Sequence, residues 1–163
     1  MTGAKTVRTT ATDGATAVEG KVTADIATVP EVADALKALQ DTVTAAGTDS
    51  ATALTDNITT ATNDLQTAIN NAGAAKTDAS TAIKNASPVT NEPTVQAAIN
   101  KLTDLTSNSS SKTADINQAI TDLNTVVATA KTNRDTAIEV AGKVTIPDAV
   151  KNNANVTAAK TTL

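Results

Sequence analysis

The sequence predicts an all-α protein in which three-helix bundles follow one another in tandem and share long helices. Three observations lead to this prediction. Apolar residues recur every three or four positions from Ala51 to Ala86, the chain has no Phe, Trp or Tyr, and related segments return with a period near sixty residues. Such spacing is typical of helices that pack along a narrow apolar stripe. A period of that order is typical of a repeat array.

The central segment carries the longest apolar seam, meaning the row of apolar residues that one helix turns toward its partner helices. An alternation of three and four that continues over about five heptads indicates a single helix. At ~1.5 Å per residue this helix would be about 55 Å long, so we expect it to be shared by two successive bundles. We call such a shared helix a spine helix. Its seam residues are Ala51, Leu54, Ile58, Ala61, Leu65, Ala68, Ala72, Ala75, Ala79, Ala82 and Ala86.

The amino-terminal segment has the same alternation and predicts the end of another spine helix. This helix should stop near Gly20, because glycine is the commonest residue just past a helix end. Val22-Thr23 and a loop should follow it. The predicted seam residues of this first helix are Ala4, Val7, Ala11, Gly14 and Val18.

A short helix is predicted between the first helix and the central one. Pro30 suits the first turn of a helix, and Glu31 beside it favours the positive end of the helix dipole. Gly47 should end the helix. The residues that follow, Thr48, Asp49 and Ser50, offer side-chain oxygens that can cap the central spine helix. The predicted seam of the short helix is Val32, Leu36, Leu39 and Val43.

The same order of elements returns after Ala86. Val89-Thr90 and Pro93 lead into a second short helix, whose predicted seam is Val95, Ile99, Leu102 and Leu105. The polar turn 107–111 then leads into a second long helix that ends at Gly142. Its predicted seam is Ile116, Ile120, Leu123, Val127, Ala130, Arg134, Ala137 and Ala141. Val144-Thr145 and Pro147 open a third copy, in which Val150 and Ala154 should begin another short helix.

The copies align residue by residue. Residues 76–83 match residues 131–138 at a distance of 55 positions, and Pro30 matches Pro93 at a distance of 63. A short helix of about 17 residues spans only ~25 Å, so it can cover only half of a spine helix. Each bundle should therefore combine the end of one spine helix, a short helix and the start of the next spine helix.

This arrangement is a spectrin-like rod, with Gly73 at a junction where a small bend is tolerated. The first bundle should contain helices over residues 4–20, 30–46 and 50–72, and the second should contain helices over residues 74–86, 93–106 and 112–130. The predicted units are 1–72, 73–130 and a partial third repeat, 131–163. We expect a monomeric rod.

The composition argues against several functions. Without His or Cys the chain has no ordinary general base near neutral pH, no thiolate nucleophile and no zinc cage, so we predict that it is not an enzyme. No catalytic, cofactor-binding or metal-binding residue is predicted, and no cofactor or small-molecule substrate. A net charge of −4 with dispersed Lys and Arg, and no aromatic residue for stacking, argue against nucleic acid.

The hydropathy of the chain bears on its location. No stretch of eighteen apolar residues occurs, so we expect no membrane insertion. The amino end lacks the apolar core of a signal peptide. If the natural protein is secreted, the chain is expected to be an excised segment of it.

A few residues are candidates for a site. Arg134 holds a seam position that is occupied by Ala79 in the earlier copy. It could be a buried specificity residue or a partner anchor. We favour a third interpretation, in which its long side chain reaches past a thin core to water.

Other candidates are acidic or are possible glycosylation acceptors. Acidic residues without the spacing of a calcium loop are expected on solvated helix faces: Asp56, Asp64, Asp115 and Asp122. Glycosylation triplets begin at four asparagines, of which only the one in the 107–111 turn is expected to be clearly accessible: Asn57, Asn85, Asn108 and Asn155.

The second copy resembles a known class of repeat. Its motifs are the segment 95–102, a polar turn, Ile116 with Ala119-Ile120 and Leu123, and then Ala130-Lys131 with Arg134 and Ala137. This order is similar to the helical repeats of Gram-positive cell-wall-anchored surface proteins, such as those of lactobacilli and the FIVAR-type and GA-type modules of staphylococcal proteins. The Tyr common in FIVAR-type repeats is absent here. The resemblance implies an extracellular, cell-wall-anchored array of three-helix bundles that projects an adhesive region.

Two functional classes follow. The chain is either a passive stalk or a three-helix binding module for a host serum or matrix protein. A binding hot spot is usually built on Tyr, Trp or Arg, and this chain has no aromatic residue and only Arg8 and Arg134. The composition therefore favours the stalk. An intracellular scaffold or a phage fibre element would be a similar rod from a different source.

Overall fold

The structure is a computed structural model that describes residues 2–47 and 52–162. Within these ranges the chain is all-helical and has no strand, which confirms the predicted all-α class. A short 3₁₀ turn, Ser87–Val89, lies between the third and fourth helices. The helices are α1 (Thr2–Glu19), α2 (Pro30–Ala46), α3 (Thr52–Asn85), α4 (Pro93–Ser107), α5 (Thr113–Gly142) and α6 (Ala154–Thr162).

The central helix α3 is continuous over its 34 residues. It contacts α1 and α2 as well as α4 and α5. Its seam is buried or half-buried from Leu54 to Ala82, and Ala86, just past the helix, is buried too. The three-four alternation therefore identified the packed face of this helix correctly. The expected capping residues Thr48, Asp49 and Ser50, and Ala51 at the start of the seam, lie outside the described residues.

The buried apolar residues form two clusters. The first cluster joins α1, the 20–29 segment, α2 and the first part of α3: Ala15, Val18, Ile26, Val29, Val32, Leu39, Ala46, Ile58, Leu65 and Ala72. The second cluster joins the rest of α3, the 3₁₀ turn, α4 and α5: Ala75, Ala79, Ala82, Ala86, Val89, Val95, Leu102, Ile116, Ala119, Leu123, Val127 and Ala130. The change from one cluster to the other on α3 falls between Ala72 and Ala75.

The ends of the short helices follow from proline and glycine chemistry. Pro30 and Pro93 lie in the first turns of α2 and α4, where a missing N–H costs nothing. The residues before them, Val29 and Glu92, have the extended backbone that a following proline imposes. Gly47 closes α2 at a φ of 40°, a left-handed value that favours glycine, and its N–H donates to the carbonyls of Val43 and Thr44.

The buried face of the amino-terminal helix α1 differs in part from the predicted seam. The helix ends at Glu19, next to Gly20 as expected, but Val7 is 55% exposed and Gly14 is exposed. Of the predicted seam, Val18 is buried and Ala11 is half-buried, while the side chain of Ala4 lies outside the described residues. Ala15, which was not in the predicted seam, is buried as well. The reason is that α1 packs mainly against α3, while the row of Val7 and Gly14 borders an open groove between these two helices.

The segment between α1 and α2 is more ordered than the predicted loop. It is wound into turns, in which the N–H of Ile26 donates to the Thr23 carbonyl and that of Val29 to the Ile26 carbonyl. These turns direct Ile26 and Val29 into the first cluster, where they are 5% and 2% exposed. Neither residue belongs to the core that the apolar spacing predicts.

The carboxyl-terminal third also departs from the prediction. The seam of α5 is buried or half-buried up to Ala130, but Arg134 and Ala137 are exposed and Ala141 is half-buried. No helix in the described ranges packs closely on this half of α5, so Arg134 and Ala137 have no neighbouring helix to bury them. Ala141 borders a groove that α6 also lines.

The short helix of the third copy was also predicted to begin too early. Residues 148–152 form turns, and Val150 donates its N–H to the Pro147 carbonyl. The helix α6 begins only at Ala154, after Asn153, whose carbonyl accepts the N–H of Thr157. Asparagine favours such turns because its side chain bonds to nearby backbone, and Asn153 Oδ1 accepts the Asn155 N–H at 2.9 Å.

The turn before α5 contains a buried hydroxyl. Ser111 is 5% exposed, and its Oγ has no hydrogen-bond partner among the described residues. Because a desolvated hydroxyl without a partner is unfavourable, we expect Ser111→Ala to raise the free energy of unfolding by about 1 kcal/mol. Urea unfolding followed by far-UV circular dichroism measures the change. Ser110→Ala, on an exposed neighbour, is the control; a loss of stability in Ser111→Ala would contradict the expectation.

Candidate functional site

Arg134 lies on the surface of α5. Its side chain is 45% exposed, and its Nη2 donates to Asp135 Oδ1 at 2.9 Å. The interpretation of Arg134 as a buried specificity residue is therefore wrong. Exposed ion pairs between neighbours add little stability, so this arginine is a solvated side chain beside a carboxylate.

The candidate acidic residues lie on helix faces. Asp56, Asp64 and Asp115 are exposed. Asp122 accepts hydrogen bonds from Gln118 Nε2 at 2.9 Å and from Lys101 Nζ at 3.0 Å. These two bonds, Gln118 first, hold the pKa of the Asp122 carboxyl below its ordinary value of 3.8. In the described ranges no three His, Cys, Asp or Glu side chains lie close enough together to hold a metal ion.

Polar contacts gather where the two clusters meet. Lys76, on α3 beyond Gly73, donates to the backbone carbonyl of Asp25 at 2.6 Å. The Thr23 hydroxyl donates a second hydrogen bond to Asp25, at its side-chain carboxylate. This bond is the main reason why the pKa of Asp25 is lowered, and the nearby charge of Lys76 adds to it. The segment before α2 is therefore hydrogen-bonded to the part of α3 that contributes to the second cluster.

A second contact joins α2 to α5. The Glu31 carboxylate accepts the backbone N–H of Thr113 at 3.4 Å and its hydroxyl at 3.5 Å. The Ncap residue of α5, Lys112, makes no side-chain capping bond. Glu31 therefore supplies negative charge to the positive end of α5 as well as to its own helix. From the sequence, Glu31 is expected to act on α2 alone, because nothing local links it to a residue 82 positions away.

An open groove of about 390 Å³ runs between α1 and α3. Threonines form much of its wall, together with Val7 and Ala11. The hydroxyls of Thr10, Thr59 and Thr62 donate to backbone carbonyls four residues earlier in their own helices. These donors are already engaged, so this wall has little polar chemistry with which to select a ligand.

A second groove of about 660 Å³ lies between the end of α5 and α6. We call it the carboxyl-terminal groove. Ile138 and Val144 on its wall are 60% and 58% exposed. An exposed apolar surface of this kind is typical of an interaction site. The apolar residues that line the groove are Ile138, Ala141, Val144, Ile146, Val156 and Ala159.

The four glycosylation triplets differ in backbone setting rather than in exposure. All four asparagine side chains are exposed, so accessibility is not confined to the turn as the sequence suggested. Asn57, Asn85 and Asn155 belong to helices, whereas Asn108 lies in the turn after α4. Its Oδ1 accepts the Ser110 N–H at 3.0 Å.

The helices in the described ranges are too short or too polar to cross a membrane. Comparison of the chain with protein-family models, with curated proteins and with solved structures finds no match. Any assignment of function therefore depends on the residues and packing of this chain.

Proposed function

We propose that the chain is a non-catalytic structural spacer, an elongated, spectrin-like series of three-helix bundles in an extracellular, cell-wall-anchored bacterial protein. In this role it holds an adhesive region away from the cell wall. The observation that supports the proposal best is that one continuous helix, α3, contributes to both core clusters. A joint made of continuous helix resists folding back, so each added unit adds length.

The core residues of the two units support the same role. The short helices each bury a valine and a leucine seven positions apart, and all four side chains are 0% exposed: Val32 and Leu39, Val95 and Leu102. The exposed positions of the aligned segments differ, as Asp78 differs from Asn133 and Ser80 from Asp135. A rod requires only its core and joints to be specified, whereas a binding face also requires particular exposed side chains.

Outside the carboxyl-terminal groove, the described surface has few side chains that could hold a partner tightly. Binding hot spots are usually aromatic or arginine side chains in dry pockets, and this chain has no aromatic residue. Arg134 is engaged with Asp135. The hydroxyls of Thr121, Thr125 and Thr129 donate to carbonyls of their own helix. These features favour a spacer over a module that binds a host serum or matrix protein.

The test has two arms. The chain alone is presented to a panel of serum and matrix proteins, and separately one or three copies are placed beneath a known adhesive tip on a bacterial surface. We expect no binding tighter than micromolar by the chain itself, and a reach that grows with copy number. Submicromolar binding of a host protein by the isolated chain would overturn the spacer role and favour the binding module.

A further inference from the structure

Two polar contacts connect the elements of the first cluster to those of the second. The Glu31 carboxylate, on α2, accepts the backbone N–H and the hydroxyl of Thr113 at the start of α5. Lys76, on α3 just after Ala75 of the second cluster, donates to the Asp25 carbonyl at 2.6 Å. Apart from α3, the described helices of the two clusters contact each other only sparsely. These two contacts therefore lie where little else joins the clusters.

The start of α5 has no cap from its own side chains. The Ncap residue, Lys112, has a side chain that can only donate, and it makes no capping bond. The N–H groups in the first turn of a helix have no acceptor within that helix. Glu31 supplies the acceptor for Thr113, and both residues are half-buried, so water screens this contact less than an exposed one. The start of α5 is thus capped by α2.

The lysine contact recurs in the next copy. Lys131 aligns with Lys76 at a distance of 55 positions, and its Nζ donates to the Asn85 carbonyl at 3.4 Å. The two acceptors, Asp25 and Asn85, both lie a few residues before a short helix. In each copy the lysine therefore bonds a long helix to the backbone that leads into a short helix. A contact made at aligned positions in two copies is a feature of the repeat.

We propose that Glu31 and Lys76 couple the two units, where a unit is the set of helices that share one core cluster. The continuous helix α3 gives the units a common axis, and the two contacts beside it restrict the rotation of one unit about that axis. Each contact forms only when both units are folded, so each unit gains stability from the other. Such coupling is reciprocal. The inference concerns stability between units and does not require the spacer role.

Native-state hydrogen exchange of the full chain, followed by NMR, tests the contact of Glu31. The amide of Ile116 donates to the Lys112 carbonyl in the first turn of α5. In Glu31→Ala it should exchange about two- to fivefold faster, because the helix loses a cap and a favourable charge. Glu31→Asp keeps a negative charge on α2 but is one methylene shorter, so it should speed the same amide. The amides of α4 should keep the parent rate in both variants.

A change in the core of the first unit distinguishes coupling from a purely local cap. Leu39→Val removes one methylene from a fully buried side chain, so the chain should still fold while the first unit opens more often. This variant should speed exchange at Ile116 about twofold or more, and it should add nothing when Glu31 is already alanine. Asp115→Asn is the matched control, because it removes a charge from the same turn of α5 without touching α2. In that background Leu39→Val should keep its effect.

The contact of Lys76 is tested from the other side. Lys76→Met keeps most of the aliphatic chain but has no N–H to donate. The amide of Ile26, which donates to the Thr23 carbonyl, should then exchange about two- to tenfold faster, as expected for the loss of one hydrogen bond. Lys37→Met is the control, because Lys37 pairs with Asp41 inside α2. It should leave the Ile26 amide at the parent rate.

Four results would overturn the inference. They are an unchanged Ile116 rate in Glu31→Ala, an unchanged Ile26 rate in Lys76→Met, and an equal rise in exchange throughout α4, which would indicate general destabilisation. The fourth is an effect of Leu39→Val on Ile116 that is the same with and without the Glu31 carboxylate. These measurements involve neither host proteins nor reach from a cell surface, so the spacer proposal is tested separately.

Discussion

Replacing Leu65 with alanine is expected to lower the free energy of unfolding by about 2–4 kcal/mol. Leu65 is 0% exposed and lies in the first cluster with Leu39 and Ile58. The loss combines the transfer of the leucine side chain with the cavity left behind. Much of the rest of this core is alanine and valine. These small side chains cannot move into the space, so the cavity should stay open.

Leu123→Ala should have an effect of the same size on the second cluster, because Leu123 is also 0% exposed. Domains commonly have about 5–15 kcal/mol of stability in total, so either change removes a large share. Urea unfolding of each variant, followed by far-UV circular dichroism, gives the difference.

Val7→Ala is the control for both leucine variants, because it also shortens an apolar side chain but on a residue that is 55% exposed. Its effect should stay within about 0.5 kcal/mol. If Leu65→Ala and Leu123→Ala shift the unfolding midpoint no more than the control does, the two leucines are not core residues in solution.

The sequence predicted the helices best where the apolar spacing agreed with the positions of proline and glycine at helix ends. In α3 the seam holds isoleucine and leucine at regular intervals, and the same helix phase places all of them on one face. Pro30, Pro93, Gly20 and Gly142 marked helix ends to within about one residue. These residues act through their own backbone limits, so their effect can be predicted without knowing the tertiary fold.

The phase of α1 was harder to predict because its residues are small. Val7 and Gly14 fit one row of three-four spacing, while Ala15 fits a neighbouring row, and Val18 fits both. Alanine and threonine give little contrast between the faces of such a helix. The packing of α1 against α3 decided the question, and that contact is not encoded in the local spacing.

Contacts between distant segments could not be predicted from spacing at all. Ile26 and Val29 enter the core because a series of turns directs them there. Glu31 meets Thr113 because the starts of α2 and α5 lie side by side. Arg134 and Ala137 illustrate the opposite case, since the seam continues past Ala130 but the described chain packs no helix on it. Burial depends on the partner as much as on the pattern.

Gly73 should respond in opposite directions to alanine and to proline. It lies inside α3, between Ala72 of the first cluster and Ala75 of the second. A Cβ added at this position would meet nothing within 4 Å. Gly73→Ala should therefore raise the free energy of unfolding by about 0.5–1 kcal/mol, because alanine loses less backbone freedom in a helix.

Gly73→Pro should instead cost about 3 kcal/mol or more, because proline has no N–H to donate to the Ile69 carbonyl and its ring clashes with that group. The kink would lie between the two clusters, so small-angle scattering should show a shorter maximum dimension while each cluster keeps its helices. Gly73→Ala is the matched control and should keep the parent dimension. If Gly73→Pro matched the parent chain in both stability and length, α3 would not be a continuous helix in solution, and the joint on which the spacer proposal depends would be lost.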